Sequence, residues 1–208
     1  MTAKLNEPRA HHDDQVANKP GPSADESELI KRAQAGDAEA FNELADRHGS
    51  MVRRVLFRIL KDCEQAWDAM QEALLGAWRN IGKFEGRAKF STWLTRIGIN
   101  EAYRGRRRSG PEVVGLDDSI GERVPDWGNR PDETFESREF LGAVGTALDS
   151  LSSDYRTAVV LRDLEGLSTR DAAASAGIEE RAFKSRLHRG RMALRAELDE
   201  YFSAGYVR

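Results

Sequence analysis

A single cysteine, Cys63, occurs in 208 residues. One thiol makes no intramolecular disulfide and builds no cysteine-rich metal site. Histidine is nearly as scarce. His11, His12, His48 and His188 stand at no metal-ligand spacing. There is no phosphate-binding glycine loop, no carboxylate cluster and no paired nucleophile and base, so an enzyme is not expected. No apolar run is long enough to cross a bilayer, so no membrane insertion is expected. The polar N-terminus lacks the apolar core of a secretory leader. No stretch alternates strictly enough to read as a strand. The six prolines all fall at residues 8–22 and 111–131. What survives is an all-α protein with no cofactor and no metal, expected in the cytoplasm.

Two long stretches carry helical periodicity. Residues 1–26 are polar and read as a disordered tail. From residue 27 to 108 the apolar residues recur at helical spacing. Leu29, Ile30 and Ala33 precede "AGD", a helix stop and restart. Phe41, Leu44, Val52, Val55, Leu56 and Ile59 continue the pattern. A third helix is predicted from about residue 64 to 80, with Trp67, Met70, Leu74, Leu75 and Trp78 as its apolar face. A fourth, from about 91 to 106, carries Trp93, Leu94, Ile97 and Ile99. Residues 109–134 are acidic and rich in proline and glycine, the composition of a flexible linker. Periodicity returns over 135–203. The expectation is two small helical domains joined by a tether.

The second of these holds "LRDLEGLSTRDAAASAGIEERAFKSRLHRGR", which has a helix-turn-helix pattern. Ser168 is placed to cap a short helix over 169–176, with Asp171 in the position of a capping box. Gly177 suits the left-handed turn, and Ile178 plugs it. On the next helix Phe183, Leu187, Gly190 and Leu194 form an apolar stripe. Arg181, Lys184, His188, Arg191 and Arg195 form a basic stripe, flanked by Ser185 and Arg189. A solvated basic face is the ordinary reading of such a stripe. The short helix and glycine turn before it favour a helix that enters a DNA groove.

The first domain holds the other basic cluster: Arg87, Lys89, Arg96, Arg104, Arg106, Arg107 and Arg108. Phe84, Phe90, Trp93 and Tyr103 are interleaved with it. Bases bind backbone phosphates, aromatics stack on unpaired bases, and a glycine loop beside them could hold an extruded base. Core burial is the ordinary reading of Phe90 and Trp93. Asp68 and Glu72 share a helix face with Gln71, which suits either simple solvation or docking of a basic partner.

Here the residues resemble a known family. Asp68, Gln71-Glu72, Trp78, "FEG", "FSTWL", Ile97 and Asn100 are similar to region 2 of the extracytoplasmic-function (ECF, group 4) sigma factors of bacterial RNA polymerase. "LRDLEGLS" and "KSRLHRGR" resemble region 4. The likeness runs from about residue 28 to 198. It implies a non-enzymatic factor, involved in stress response, that binds core polymerase and directs promoter-specific initiation. Asp68, Gln71 and Glu72 would dock on the largest subunit, with the second-largest also contacted. Phe84, Arg87, Lys89, Phe90, Trp93, Asn100 and Arg104 would read and melt the minus-ten element of promoter DNA. Arg181, Lys184, Ser185, His188, Arg189 and Arg191 would read the minus-thirty-five element. The linker would thread towards the RNA exit channel. An anti-sigma protein is a further partner such a factor can have.

The chain departs from the family at Ala172 and Ser175, where larger apolar residues are common, and at Phe183, often a valine. Phe183 is expected to fill the volume vacated by Ala172. Glu179 replaces the usual Ser or Thr cap, Arg181-Ala182 a common Gly-Thr, and Glu85 a frequent arginine. A conventional helix-turn-helix regulator would explain only the second half. An enzyme acting on nucleic acid has no supporting cluster.

Overall fold

A computed structural model of the protein describes residues 24–108 and 135–203. The expected linker, and all but the last residues of the expected tail, lie outside that part. Among the described residues there are helices and no strands.

The N-terminal unit has four helices. α1 (Ala24–Gln34) ends at Gly36, and Asp37 starts α2 (Ala38–Leu60). The Asp37 carboxylate accepts from the amides of Glu39 and Ala40 at 3.0 and 3.1 Å. Those amides, the Ala40 one foremost, and the Arg32 guanidinium hold it below the usual carboxylate range. This cap therefore contributes at neutral pH and weakens as pH falls through its depressed pKa. Lys61 closes α2 in the left-handed region, at φ 64°. Asp62 then caps α3 (Cys63–Asn80) by accepting from the Gln65 amide at 2.9 Å. A 3-10 turn (Ile81–Lys83) and a loop lead to α4 (Phe90–Arg108).

Of the predicted α3 face, Met70 is buried and Leu74 and Trp78 pack against the core, and the structure corrects it at Trp67 and Leu75. Trp67 is 51% exposed and Leu75 48%. The buried face is Ala66, Ala69, Met70, Ala73 and Ala77. α3 packs against both α2 and α4, and its small residues let those backbones approach. Trp67 instead lies under the Arg53 guanidinium, 5.0 Å from the ring centroid, a cation–π contact at the surface. Cys63 is exposed and does not serve packing.

The C-terminal unit comprises α5 (Phe135–Ser150), α6 (Ser153–Val159), a π-turn (Val160–Leu164), α7 (Thr169–Ala176) and α8 (Glu180–Ser203). The π-turn is closed by the Glu165 amide on the Val160 carbonyl at 2.9 Å. Gly190 lets α8 lie against α6. A Cβ there would stand 3.0 Å from the Tyr155 carbonyl oxygen and from Val159 Cγ2. Gly190→Ala is therefore expected to push α8 off α6 and lower the melting temperature, which calorimetry checks.

Among the described residues two apolar clusters organise the packing. One joins Leu29, Phe41, Leu44, Leu56, Met70, Phe90 and Leu94 within the N-terminal unit. The other joins Leu148, Val160, Leu161, Ala172, Phe183 and Leu187 of the C-terminal unit to Val55, Ile59 and Ile99 of the first. α2 thus buries two stripes, as a helix apolar on more than one side must. The two units are packed together, which periodicity alone could not indicate.

Candidate nucleic-acid interface

The helix-turn-helix forms where its sequence places it. Ser168 Oγ accepts from the Asp171 amide at 3.0 Å. The return half of the capping box differs from expectation, because the Asp171 carboxylate takes the Ser168 hydroxyl at 2.9 Å. Aspartate is one methylene shorter than the usual glutamate, and here it bonds the hydroxyl rather than the backbone amide. Ser168→Ala is expected to cost about 1 kcal/mol in denaturant unfolding. Gly177 adopts φ 68° and donates to the Ala173 and Ala174 carbonyls. Phe183 is fully buried and Leu187 6% exposed, so α8 is anchored on its apolar stripe.

That anchoring turns the other face of α8 to solvent. Arg181, Lys184, Ser185, His188, Arg189 and Arg191 are all exposed on it. Two are engaged. Lys184 pairs with Glu180 at 3.0 Å one turn back. Arg191 forks onto Asp163 of the π-turn, with contacts of 3.0 and 2.6 Å. A duplex would compete with that fork for Arg191. The helix start lacks a side-chain cap from Glu179, whose carbonyl accepts from the Phe183 amide at 2.9 Å.

The expected minus-ten residues divide into two groups. Phe84 and Phe90 are buried, 8% and 0% exposed. Phe84 meets Phe90 edge-on at 5.9 Å, and both contact half-buried Trp93 at 5.1 and 5.7 Å. Gln34 Nε2 donates to the Phe84 and Ile81 carbonyls at 2.8 and 3.2 Å. In this structure Phe84 and Phe90 pin the base of the loop and offer no ring face to a ligand. Arg87, Asn100 and Arg104 are exposed. Arg87 pairs with Glu85 at 2.5 Å, and Arg104 with Glu101 at 3.2 Å. Lys89 reaches Asp171 of α7 at 3.6 Å.

Asp68, Gln71 and Glu72 come together on the exposed side of α3. They line an open groove of about 340 Å³ between α3 and α4, with Leu60, Ala69, Leu75 and Ala102. Glu101 of α4 joins them there, a residue that sequence reasoning passed over. Its signal was its register on α4, visible only once that helix is packed on α3. Among the described residues no group of three or more His, Cys, Asp or Glu is placed to hold a metal. None of the described helices is long and apolar enough to cross a membrane.

A helical body followed by a helix-turn-helix with a basic exposed face defines an all-α protein of the DNA-reading class. Comparison with known proteins identifies the family. The sigma-70 region 2 pattern matches residues 44–111, and the sigma-70 region 4 pattern matches residues 141–194. The chain is 32% identical over 176 residues to the RNA polymerase sigma-H factor of Pseudomonas aeruginosa, covering 81% of this chain and 91% of that one. It is 31% identical to the ECF RNA polymerase sigma factor SigW of Bacillus subtilis, covering 81% and 94%. Among solved structures, CnrH in complex with the cytosolic domain of CnrY superposes with a TM-score of 0.62 at 26% identity, over 86% of this chain and 99% of that one. RpoE in complex with the anti-sigma factor NepR, from Bartonella quintana, gives 0.60 at 29% identity, over 76% and 96%. The chain belongs to the sigma-70 family and is an ECF sigma factor. Members of this family bind core RNA polymerase and direct promoter-specific transcription initiation.

Proposed function

We propose that the two units divide this task among the residues described above. α8 enters the major groove of the minus-thirty-five element through Arg181, Lys184, Ser185, His188, Arg189 and Arg191. Arg87, Lys89, Asn100 and Arg104, with the exposed edge of Trp93, meet the minus-ten element, while Phe84 and Phe90 hold their loop. Asp68, Gln71 and Glu72 dock on the largest polymerase subunit, and the second-largest subunit is also contacted. The protein supplies recognition and strand opening in the cytoplasm and makes no bond itself. The assembled promoter complex joins both DNA contacts through one chain, so each can be weak. An anti-sigma protein is a further partner, by likeness to the solved structure of RpoE with the anti-sigma factor NepR.

The observation that carries this reading is the α7–turn–α8 arrangement, with its apolar stripe buried and its basic stripe exposed. Two tests separate the roles. Asp68→Lys with Glu72→Lys is expected to abolish co-elution with core polymerase while leaving binding of the minus-thirty-five duplex intact. Arg189→Ala and Lys184→Ala are expected to weaken duplex binding. A lost phosphate contact lowers the salt slope by about one. A lost base contact costs about 1–3 kcal/mol at one base pair only. Unchanged promoter affinity in both variants would remove α8 from the interface.

A further inference from the structure

Glu165 is a carboxylate whose charged partners come from the other unit. Its side chain is 4% exposed, and it pairs with Arg58 and, at 3.2 Å, with Arg54, both on α2. Burial pulls the Arg58 guanidinium below its ordinary range, with Glu165 opposing that and Arg54 adding to it. The π-turn explains how Glu165 arrives there. Its wide register lets Asp163 reach Arg191 of α8 while Glu165, two residues on, reaches α2.

The same seam carries further contacts. Arg156 Nη1 donates to the Ile59 carbonyl at 3.0 Å. Lys61, held in its left-handed conformation, donates to the Asp149 carbonyl at 2.6 Å and pairs with its carboxylate at 3.1 Å. Tyr103 shares a hydrogen bond with Thr157 at 2.8 Å. On the far side α7 lies across the start of α4, where Ser175 Oγ donates weakly to the Thr92 carbonyl at 3.5 Å. Lys89 is turned to Asp171, and the Arg96 guanidinium packs at Gly177.

We propose that Arg54, Arg58 and Glu165 form a latch that holds the C-terminal unit closed on the N-terminal unit, covering the start of α4 until the latch opens. A buried ion pair is a suitable catch. Its attraction is largely offset by desolvation, so it specifies one arrangement without making it irreversible. When the units part, Glu165 and Arg58 gain water, Arg54 is already half-exposed, and no charge is left buried alone. Polymerase or promoter that binds only the open state must first shift this equilibrium, and its apparent affinity falls by the open fraction. Only this last consequence rests on the promoter-reading assignment; the latch itself does not.

The test uses the full chain, spin-labelled at native Cys63 and at an introduced Glu197→Cys, both exposed positions. Dipolar distance measurement of the parent should give one narrow population. Glu165→Arg should broaden and lengthen it, with an open fraction at least tenfold larger. Arg54→Ala, at a half-exposed position, should produce a smaller shift in the same direction. The charge swap Glu165→Arg with Arg58→Glu should restore the narrow population. That restoration distinguishes a latch from a variant that merely fails to fold. An unchanged distribution in Glu165→Arg, or a swap that restores nothing, would overturn the proposal. Because neither polymerase nor DNA is present, this outcome is independent of whether the assigned promoter contacts are right.

Discussion

Phe183→Ala is expected to destabilise the C-terminal unit by about 3–5 kcal/mol. The ring is fully buried, in the same apolar cluster as Ala172, Val159, Leu161 and Leu187. Ala172 and Ser175, both also fully buried, leave the first helix of the motif short of volume, and a phenylalanine on the second supplies it. Removing the ring leaves a cavity that helices pinned by the Ser168 and Gly177 caps cannot easily collapse. A loss of that size is a large share of the stability of an ordinary domain. Denaturant unfolding followed by circular dichroism should show an early transition for helices α5–α8. Duplex binding should fail with it, since α8 loses its anchor. Phe183→Leu should cost much less, and unchanged unfolding in Phe183→Ala would refute the packing argument.

The second large effect is expected at Arg156, which is 6% exposed. Its guanidinium donates to four backbone carbonyls: Leu148 at 2.9 Å, Ile59 at 3.0 Å, Asp149 at 3.0 Å and Leu151 at 2.8 Å. Three of these are at the end of α5 and the turn after it, where the last carbonyls fall outside the regular i to i+4 ladder. The fourth is near the end of α2. One planar fork therefore closes a helix terminus and ties the two units together. Arg156→Met keeps the bulk and strips the donors. The Asp149 carbonyl keeps Lys61 Nζ and the Leu148 carbonyl keeps the Leu151 amide, so the Ile59 and Leu151 carbonyls are the acceptors that lose most; at about 1–3 kcal/mol for each, a total loss of about 3 kcal/mol is expected. Arg156→Lys should lie between, because an ammonium cannot reproduce the planar fork. Thermal unfolding of the three proteins checks the order. Equal stability of Arg156→Met and parent would contradict it.

The parts of the fold written in local chemistry were legible in the sequence. α7 runs over the expected Thr169–Ala176 because Ser168 and Gly177 are chemical stops at its two ends. The stripe Phe183, Leu187 and Gly190 is buried as its spacing requires. Where neighbours decide, the sequence was silent or misleading. Residue size suggested that Trp67 and Leu75 face inward on α3, yet α3 sits between two close helices and buries its alanines. Val55 and Ile59 read as part of one α2 stripe, although they face the other unit. The π-turn after α6 begins inside the short apolar run 158–161 and left no periodic trace. The candidate site followed the same rule. The α8 residues share one helix face, fixed by spacing. Whether Phe84 and Phe90 face a ligand or the core depends on Phe41 and Trp93, which only the packed structure brings to them.

The central claim, that this chain gives a polymerase its promoter, is tested most directly by transcription in vitro. The purified protein is mixed with sigma-free bacterial core polymerase on fragmented genomic DNA of its host, and transcript starts are mapped. Discrete starts preceded by two elements at a fixed spacing are predicted. They should be lost in the Asp68→Lys, Glu72→Lys variant and weakened in Arg189→Ala. No discrete starts, together with polymerase-independent binding of the protein to duplex DNA, would contradict the account.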